Sequence, residues 1–516
     1  MELTLGHLVE RNALLHPRRA ALIIDGRTIT HAEMAQRVRR VGSALARGLE
    51  RQDRVAILSQ NSGEYLEVMG GVHLAGLILV TLNWRLAVPE LLRIVQDCDP
   101  AVVIFESRYA PAVAELRASG IAARFVCIGE SPDWAEAYES VVATGDPAGP
   151  TLRAYPEDTA SLIYTSGTTG QPKGVMLSHS GLFAGARTNC AIANVRTTDR
   201  LLITMPLFHI GATIMYLGYS VVGATIVLHR SFDATASLRA IEAEGITHIH
   251  TAPTMVHQLL EAAASGGFDT SSLTNILYSS SPMSEALLRR AIDRFGTIFT
   301  QIYGLTECVG GTALQAAQHV LSGDAKDVGR LASAGQPNID CFIRIVDDNG
   351  RDCASGEVGE IVLAGPSIMQ GYWNNTSLTR RVLRDGWFHT GDLGCLDDEG
   401  FLFIVDRKKD MIVSGGENIY SREVEAALAT HPEVAEVAVI GVPDARWGEA
   451  VKAFVVRRPG GTVDADALIA YCRTRIAGYK KPRSIAFVAR LPQLPSGKVD
   501  KKTLRAPYWG SQGRQV

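Results

Sequence analysis

Apolar residues follow two alternating patterns along the first third of the chain. Short continuous apolar runs, such as residues 53–58 and 101–105, predict buried strands, and stretches with an apolar residue every three or four positions, such as 31–47, predict amphipathic helices. Strands that alternate with helices favour a parallel sheet covered by helices. The elements predicted here are helices at 3–16, 31–47, 62–75 and 89–97 and strands at 20–24, 27–30, 53–58, 78–82 and 101–105.

A second series of strands and helices is predicted between residues 201 and 299. Within it, residues 206–228 contain no Asp, Glu, Lys or Arg, and their number is close to that of a membrane span. Pro206 and several glycines interrupt this stretch, so it predicts a core helix followed by a strand. The predicted strands of the series lie at 224–228, 247–251, 275–279 and 297–301.

The pattern changes near residue 342, where short strands alternate with Asp/Gly turns. Predicted strands at 342–347, 359–364 and 401–405 indicate a small β-rich subdomain. The charge cluster at 406–410 then separates a strand from an apolar run, which is typical of a domain junction. We therefore predict a large N-terminal α/β domain over residues 1–405, including the β-rich subdomain, and a small C-terminal α+β domain over 406–516.

The composition is that of a globular protein with no bias towards nucleic acid. The 516 residues are 46% hydrophobic and 20% charged, with a net charge of −3, and they are too many for one ordinary core. The eight cysteines form no C-x-x-C pair, which is typical of a reducing cytoplasm. The N-terminal residues lack the apolar run of a signal peptide, so the expected location is cytoplasmic.

Charge is divided unevenly between the two predicted domains. Residues 406–516 contain 19 Lys or Arg and 12 Asp or Glu, a net charge of +7, which leaves −10 for residues 1–405. A basic domain facing an acidic one suits a phosphate-rich ligand held between them, and a solvated basic face is the alternative.

A glycine-rich loop lies between two apolar runs at residues 164–179, YTSGTTGQPKGVMLSH. Small residues allow backbone N–H groups to line an anion-binding concavity, and Lys173 adds a charge that can reach a polyphosphate. The spacing departs from the common P-loop pattern G-x-x-x-x-G-K-[ST]. A glycine-rich surface hairpin is the alternative.

Further stretches follow downstream: PLFH at 206–209, YGLTE at 303–307, TGD at 390–392, DRKKD at 406–410 with SGGEN at 414–418, and GK at 497–498. Together with the loop, these motifs resemble the adenylate-forming superfamily, in which they occur in the same order. The resemblance implies an acyl-CoA synthetase, either a fatty-acid or an aryl-acid CoA ligase, with ATP, Mg²⁺ and CoA as cofactors or co-substrates. In such enzymes a carboxylate attacks the α-phosphate of ATP, pyrophosphate leaves, and CoA then takes the acyl group from acyl-AMP. Because two anions approach each other, catalysis is mainly positioning and electrostatic stabilisation.

The resemblance assigns the chemistry of adenylation to four side chains. Lys498 is expected to reach the carboxylate and the α-phosphate, Glu307 to hold Mg²⁺, Thr306 to lie near the α-phosphate, and His209 to line the acyl pocket near the carboxylate. Alternatives remain for each: Lys498 as one more lysine of a basic tail, Glu307 and Thr306 as the start and the cap of a helix after the strand at 297–301, and His209 as a core histidine. The implied ATP- and AMP-binding residues are Thr165, Ser166, Gly167, Thr168, Thr169, Gly170, Lys173, Ser281, Tyr303, Gly304, Thr306, Asp392, Arg407 and Lys498.

The second half-reaction is implied to use another face of the C-terminal domain. Lys409 falls at the family's hinge, about which this mobile domain rotates after adenylation, so that Lys498 leaves and the CoA-binding residues arrive. For Trp447 a plain packing role remains open. The implied CoA-binding residues are Ser414, Gly415, Gly416, Trp447 and Lys480.

The implied acyl pocket is apolar or small and carries no fixed charge, which favours a neutral hydrophobic acid, fatty or aryl. His209 stands where amino-acid-activating relatives have an aspartate, which argues against an α-amino acid. The run Ser279-Ser280-Ser281-Pro282 replaces the family's usual Gly-Gly-Ala-Pro, and its hydroxyls offer a hydrogen bond to a substrate group. The expected lining residues are His209, Thr213, Ser280, Gly304, Val309 and Gly310.

Other functions stay open at this stage. A stand-alone adenylation enzyme that loads an acyl carrier protein is the second hypothesis, and a luciferase-like oxygenase and a non-catalytic nucleotide-binding protein are two more. The expected partners are a small carboxylic acid, ATP and CoA, with no nucleic acid and no transmembrane segment. Peripheral membrane contact and a homodimer also remain open.

Overall fold

The computed structural model describes residues 3–166, 172–281, 283–414, 417–444, 446–494 and 498–509, and Ser166 only by its backbone. The first elements in chain order are α1 (Gly6–Leu15), β1 (Ala20–Ile24), β2 (Arg27–Thr30), α2 (His31–Ala46), β3 (Arg54–Leu58), α3 (Gly63–Ala75), β4 (Ile78–Thr81), α4 (Val88–Cys98), β5 (Val102–Glu106), α5 (Ala110–Ala118), β6 (Arg124–Ile128), β7 (Glu136–Ala137), α6 (Tyr138–Thr144), β8 (Thr159–Ser166), β9 (Pro172–Ser178) and α7 (His179–Ile192). The next are β10 (Arg200–Ile203), α8 (Ile210–Ser220), β11 (Thr225–Leu228), α9 (Ala234–Glu244), β12 (His248–Thr251), α10 (Pro253–Ser265), β13 (Asn275–Tyr278), α11 (Glu285–Phe295), β14 (Phe299–Leu305), β15 (Cys308–Leu314), α12 (Ala325–Gly329) and β16 (Gln336–Pro337).

The C-terminal third continues with shorter strands. They and the remaining helices are β17 (Phe342–Val346), β18 (Gly359–Ala364), β19 (Gly371–Tyr372), α13 (Thr376–Val382), β20 (Leu383–Arg384), β21 (Trp387–Leu396), β22 (Leu402–Arg407), β23 (Ile412–Ser414), β24 (Glu417–Ile419), α14 (Ser421–Ala429), β25 (Val434–Asp444), β26 (Gly448–Arg457), α15 (Ala465–Arg473), β27 (Ser484–Phe487) and α16 (Lys501–Trp509).

The chain divides into two compact units, and neither is continuous in sequence. The first takes in the described residues of Met1–Ile343, Leu363–Phe388 and Gly400–Leu402. The second takes in those of Arg344–Val362, His389–Glu399 and Phe403–Val516. The domain division at residue 405 stays a prediction.

Two large sheets form the first unit. One has the strand order β16-β15-β14-β13-β12-β10-β11-β1-β2 and the other β19-β9-β8-β4-β3-β5-β6-β7. β10, β11, β12, β13 and β14 pair in parallel, as do β8, β4, β3, β5 and β6, which confirms the α/β class that the alternating pattern predicts. Helices cover the sheets, and the core between them is apolar, for example around Val80, Ile94 and Phe105.

Local sequence explains where several elements begin and end. Thr30 caps α2 through a capping box with Glu33, and Ser62 caps α3 by accepting from the N–H of Tyr65. The turn between β1 and β2 uses Asp25 and Gly26, both with positive φ, as a tight two-residue hairpin requires. The uncharged stretch 206–228 forms the buried helix α8 followed by β11, as predicted.

One predicted alternative is wrong. No helix begins after the strand at 297–301; that strand is β14, which starts at Phe299, runs on to Leu305 and turns directly into the antiparallel strand β15. Thr306 therefore lies in a β-turn rather than at a helix cap.

The second unit includes a small sheet with the order β24-β23-β26-β25, in which β27 joins β26 in parallel. α14 and α15 bury Val424, Leu428 and Leu468 against it. Among the described residues, no helix combines the length and the apolar character that crossing a bilayer requires.

Candidate functional site

The glycine-rich loop closes an antiparallel hairpin in the first unit. β8 pairs with β9 so that Thr165 lies opposite Lys173 and Ser166 opposite Pro172. At Gly174 a Cβ would lie 2.9 Å from the Tyr164 ring and 3.2 Å from Trp373 Cβ, so this strand position requires glycine. The predicted ATP-binding residues Gly167, Thr168, Thr169 and Gly170 lie outside the described residues, as does the side chain of Ser166.

Lys173 lies beside a tyrosine that the sequence analysis did not select. The Lys173 ammonium is 5.4 Å from the centroid of the Tyr372 ring, and the Tyr372 hydroxyl donates to Glu307 Oε1 at 2.8 Å. Burial lowers the pKa of Lys173, Glu307 opposes this shift, and Arg381 adds to it. Burial and Glu307 raise the pKa of the Tyr372 hydroxyl, which therefore stays a neutral donor. One tyrosine thus joins the predicted phosphate cation to the predicted metal carboxylate.

The backbone fixes the position of Glu307. Leu305 pairs with Cys308 across the β14–β15 turn, and Met369 N donates to Glu307 O at 2.9 Å. Tyr303, the predicted neighbour of the adenine, and Gly304, a predicted ATP- and acyl-binding residue, precede this turn in β14, where Tyr303 pairs with Thr312.

Around the predicted acyl pocket, two histidines lie close together. His209 caps α8, because its Nδ1 accepts from the Gly211 N–H at 3.1 Å. His250 Nε2 lies 2.9 Å from Ser279 Oγ. Burial, with a contribution from His209, lowers the pKa of His250 to about 3, so His250 is neutral at physiological pH.

The other predicted lining residues differ in environment. The Thr213 hydroxyl is buried and donates to Leu207 O at 2.8 Å, so its hydrogen is already used within the protein. Ser280 and Ser281 are exposed, and Ser280 has a left-handed φ of 75°. Val309 and Gly310 are consecutive buried residues of β15.

In the second unit the predicted ribose-binding pair is assembled. Arg407 Nε lies 3.3 Å from Asp392 Oδ1, and Asp392 is buried. Asp392 N donates to Thr390 Oγ1 at 3.0 Å, and Thr390 Oγ1 donates to Ile361 O at 2.7 Å. This chain of bonds holds the carboxylate on β21.

Lys498 projects from a closed loop in the same unit, and its side chain is exposed. Leu494 N donates to Lys498 O at 2.7 Å, and Gln493 and Val499 form an isolated bridge. Residues 495–497 lie outside the described part of the chain.

The predicted hinge Lys409 lies in the turn that follows β22. Burial lowers the pKa of its ammonium, and the nearby Asp410 opposes the shift. Asp410 pairs with Arg505 of α16 at 2.7 Å, so this turn is tied to the helix that follows Lys498.

Three of the predicted CoA residues are described. Ser414 ends β23 opposite Gly448, and Lys480 Nζ lies 2.8 Å from both carboxylate oxygens of Glu423. The Trp447 ring lies 4.8 Å from the Arg446 guanidinium carbon and 5.2 Å from that of Arg483. The two arginines are cations that the sequence analysis did not select, and their contact gives this aromatic surface a positive charge. Gly415 and Gly416 lie outside the described residues.

The residues present fit a magnesium ion that is held mainly by substrate. Within the described residues no group of three or more His, Cys, Asp or Glu side chains forms a metal cage. Mg²⁺ is usually bound by one or two carboxylates together with substrate phosphates, and Glu307 beside Lys173 supplies one such carboxylate.

Comparison with known proteins identifies the class. The model of the family "AMP-binding enzyme" matches residues 9–373, and that of the "AMP-binding enzyme C-terminal domain" matches residues 423–498. The chain therefore belongs to the AMP-binding enzymes, the adenylate-forming superfamily.

Two relatives and one solved structure cover almost the whole chain. Feruloyl-CoA synthase from Amycolatopsis is 39% identical over 98% of this chain and 99% of its own. Indoleacetate–CoA ligase from Aromatoleum aromaticum is 38% identical over 97% of both chains. The structure of o-succinylbenzoate CoA synthetase from Bacillus subtilis with its acyl-adenylate intermediate is 32% identical, covers 98% of both chains and superposes with a TM-score of 0.87.

Proposed function

We propose that this protein is an ATP-dependent acyl-CoA ligase for a hydrophobic carboxylic acid, with aryl and arylalkanoic acids as the first candidates. The acid and ATP give acyl-AMP and pyrophosphate, and acyl-AMP and CoA then give acyl-CoA and AMP. The observation that carries the proposal is the Lys173–Tyr372–Glu307 cluster, which joins a cation for phosphate to a carboxylate for its metal.

In this proposal, the first unit orients the leaving pyrophosphate. Lys173 pairs with the β- and γ-phosphates, and Glu307 would hold Mg²⁺, which supplies charge neutralisation to the phosphates. Because the pKa of Lys173 is lowered by burial, its ammonium is poorly solvated and gains more from a phosphate than an exposed lysine would.

The second unit would hold the sugar and the reacting atoms. Asp392 would accept hydrogen bonds from the ribose hydroxyls, with Arg407 keeping its carboxylate in place at 3.3 Å. Lys498 would neutralise the acid carboxylate as it approaches the α-phosphate, which lowers the repulsion between the two anions.

The groups at the predicted acyl wall support a neutral substrate body. Val309 and Gly310 are apolar and His250 is uncharged. The two relatives named above act on an aromatic propenoate and an indole acid according to their names, which supports an aryl acid for this chain. A fatty acid is the other candidate.

For the second half-reaction we assign CoA to the surface around Trp447. The ring, with Arg446 and Arg483 beside it, offers an adenine a stacking face and its phosphates two cations. Lys480, paired with Glu423, is part of the same proposal.

A cytoplasmic location rests on the eight cysteines, each of which is a free thiol. A homodimer and peripheral membrane contact stay predictions.

The test is pyrophosphate release and thioester formation with a panel of fatty, benzoic and arylpropenoic acids, each with CoA and with a phosphopantetheinyl carrier protein as acceptor. We expect acid-dependent pyrophosphate release and a CoA thioester as the product. Lys498→Ala should lower adenylation by at least about a hundredfold, because it removes the charge that meets the carboxylate. The control Lys502→Ala removes an exposed lysine of the adjacent helix and should leave both steps intact. Acid-independent pyrophosphate release, or normal adenylation by Lys498→Ala, would contradict the proposal.

A further inference from the structure

Two buried asparagine side chains each keep one polar atom without a partner. Asn189, on α7, is 2% exposed, and Asn338, after β16, is 8% exposed. Asn189 Oδ1 and Asn338 Nδ2 have no hydrogen-bond partner within the described part of the chain. The orientation of the Asn189 amide is set by its Nδ2, which donates to Gly185 O at 2.8 Å, so the free atom is an acceptor. The free atom of Asn338 is a donor.

The nitrogen atoms of both amides lie beside Gly310. A Cβ at this position would lie 3.5 Å from Asn189 Nδ2 and 4.0 Å from Asn338 Nδ2. Gly310 has a φ of +99°, which other residues rarely adopt, so the space beside it stays clear of side-chain atoms from β15. Asn338 is held against this strand because its N–H donates to Gly311 O at 3.0 Å.

Two buried amide atoms without hydrogen-bond partners lower the stability of the folded protein unless a bound group pairs with them. An unpartnered buried donor or acceptor destabilises the folded state, and folded proteins contain few of them. A hydroxyl group is both donor and acceptor, so a single O–H can donate to Asn189 Oδ1 and accept from Asn338 Nδ2. A carboxylate can only accept and an ammonium can only donate, so neither satisfies both atoms.

The pair lies along the predicted acyl wall. A Cβ on Gly304 would lie 3.3 Å from Gly310 N, so these two predicted lining residues are neighbours across the β14–β15 pair. We propose that Asn189 and Asn338 form a specificity element that selects a hydrophobic acid bearing a hydroxyl on its apolar body. This inference rests on the proposed function and narrows its substrate class.

The test compares two acids that differ in one atom, 4-hydroxycinnamate and cinnamate, by kcat/KM for CoA-thioester formation. We expect the native protein to prefer the hydroxylated acid by at least about tenfold, because the acid without the hydroxyl leaves both amides unpaired. Asn338→Leu keeps the side-chain size and removes the donor. It should lower that preference by about tenfold through loss of activity on the hydroxylated acid, with cinnamate changed by no more than about twofold.

The control is Asn275→Leu, an asparagine also 8% exposed whose Oδ1 likewise has no partner, at the start of β13. It should leave the preference unchanged. Equal use of the two acids by the native protein would overturn the inference and mean that the amides hold a buried water. An equal loss on both acids in Asn338→Leu would also overturn it. Absence of thioester formation with every acid of the wider panel would instead contradict the proposed function.

Discussion

Tyr372 connects two residues that the motifs predict separately. Lys173 belongs to the glycine-rich hairpin and Glu307 to the β14–β15 turn, and the Tyr372 side chain contacts both. No sequence motif that we used includes it, because Gly371-Tyr372-Trp373 lacks any charge or nucleophile. The feature that marks this position is the glycine before the tyrosine, because Gly371 has a φ of 149°, at which L-residues are strained. A φ value is known only from the structure, so the sequence does not supply this signal.

Tyr372→Phe should lower the rate of adenylation by about tenfold. The variant keeps the ring beside Lys173 and removes the donor to Glu307, and a hydrogen bond to a charged group contributes about 1.5–3 kcal/mol. Because Glu307 then loses its orientation, the Mg²⁺ concentration needed for half-maximal pyrophosphate release should rise. Tyr471→Phe, which removes a hydroxyl beside Thr430 in the second unit, serves as the control. An unchanged Mg²⁺ dependence in Tyr372→Phe would mean that the hydroxyl does not position the carboxylate.

Lys173→Ala should separate the two half-reactions. We expect pyrophosphate formation to fall by about a hundredfold, since a cation at the developing charge is lost. Thioester formation from supplied acyl-adenylate should be nearly unchanged, because pyrophosphate has already left. Measuring both steps by quenched single-turnover reactions distinguishes this from a folding defect, which would slow them equally.

At the scale of elements, apolar patterning predicts eight strands of the first unit to within about one residue. The runs 20–24 and 27–30 match β1 and β2, and 78–82 matches β4 with one residue more. β15 was not predicted, because its sequence CVGGTAL contains two adjacent glycines and resembles a loop. Its glycines are explained by packing: Gly311 lies against Tyr303 and Gly310 against the two asparagines.

Gly335, which precedes β16, is the position where this strand arrangement tolerates a side chain least. It has a φ of +79°, and a Cβ would lie 2.0 Å from the carbonyl of Ala313 in β15. Gly335→Ala should therefore lower the free energy of unfolding by about 3 kcal/mol or more, from backbone strain and the separation of β15 from β16.

Gly26→Ala is the matched control for Gly335→Ala. Gly26 has a similar φ of +73° with no atom within 4 Å of its Cβ position, so only the conformational cost of about 1 kcal/mol applies. Chemical denaturation of both variants measures the difference. If both variants lose the same free energy of unfolding, the clash of the added Cβ with Ala313 in β15 contributes nothing to the loss.

At the scale of the whole molecule, the alternation of strands and helices predicts an α/β domain but not the order of its strands. β1 and β2 are the first strands in sequence, but β1 pairs with β11 and not with β3, which follows in sequence. The N-terminal hairpin therefore forms one edge of the sheet that contains β14. This pairing depends on contacts between residues about 200 positions apart, such as Leu22 with Ile226, which local patterns do not report. The second unit is likewise discontinuous, and a boundary read from composition alone cannot reveal that.

Buried histidines should make the protein sensitive to mild acid. Burial lowers the pKa of His179 and His250 to about 3 and that of His319 to about 4, against 6.5 for an unfolded chain. Below pH 6.5 the unfolded chain binds protons that the native state excludes, so stability falls with pH until the native pKa is reached. Each histidine contributes up to about 1.4 kcal/mol per pH unit.

Urea denaturation at pH 7.5, 6.5 and 5.5 measures this slope. His319→Gln, which retains a polar side chain beside Tyr278, should reduce it. The control is His257→Gln, which replaces an exposed histidine of α10 that lies 3.4 Å from Glu261. A free energy of unfolding that stays constant from pH 6.5 to 5.5 in the native protein would contradict the expectation.

The ion pair between the turn of the predicted hinge and α16 affects the conformational freedom of the chain around Lys498. Two ion pairs anchor α16: Arg505 pairs with Asp410, and Lys501 pairs with Glu425 on α14. Two residues join Lys498 to α16, and the first of them, Val499, forms a β-bridge with Gln493. The backbone that follows the lysine is therefore ordered by folding, through the bridge of Val499 and the ion pairs of α16. In the proposed function Lys498 meets the carboxylate during adenylation, and the ordered segment that follows it should then add little to the activation entropy of that step.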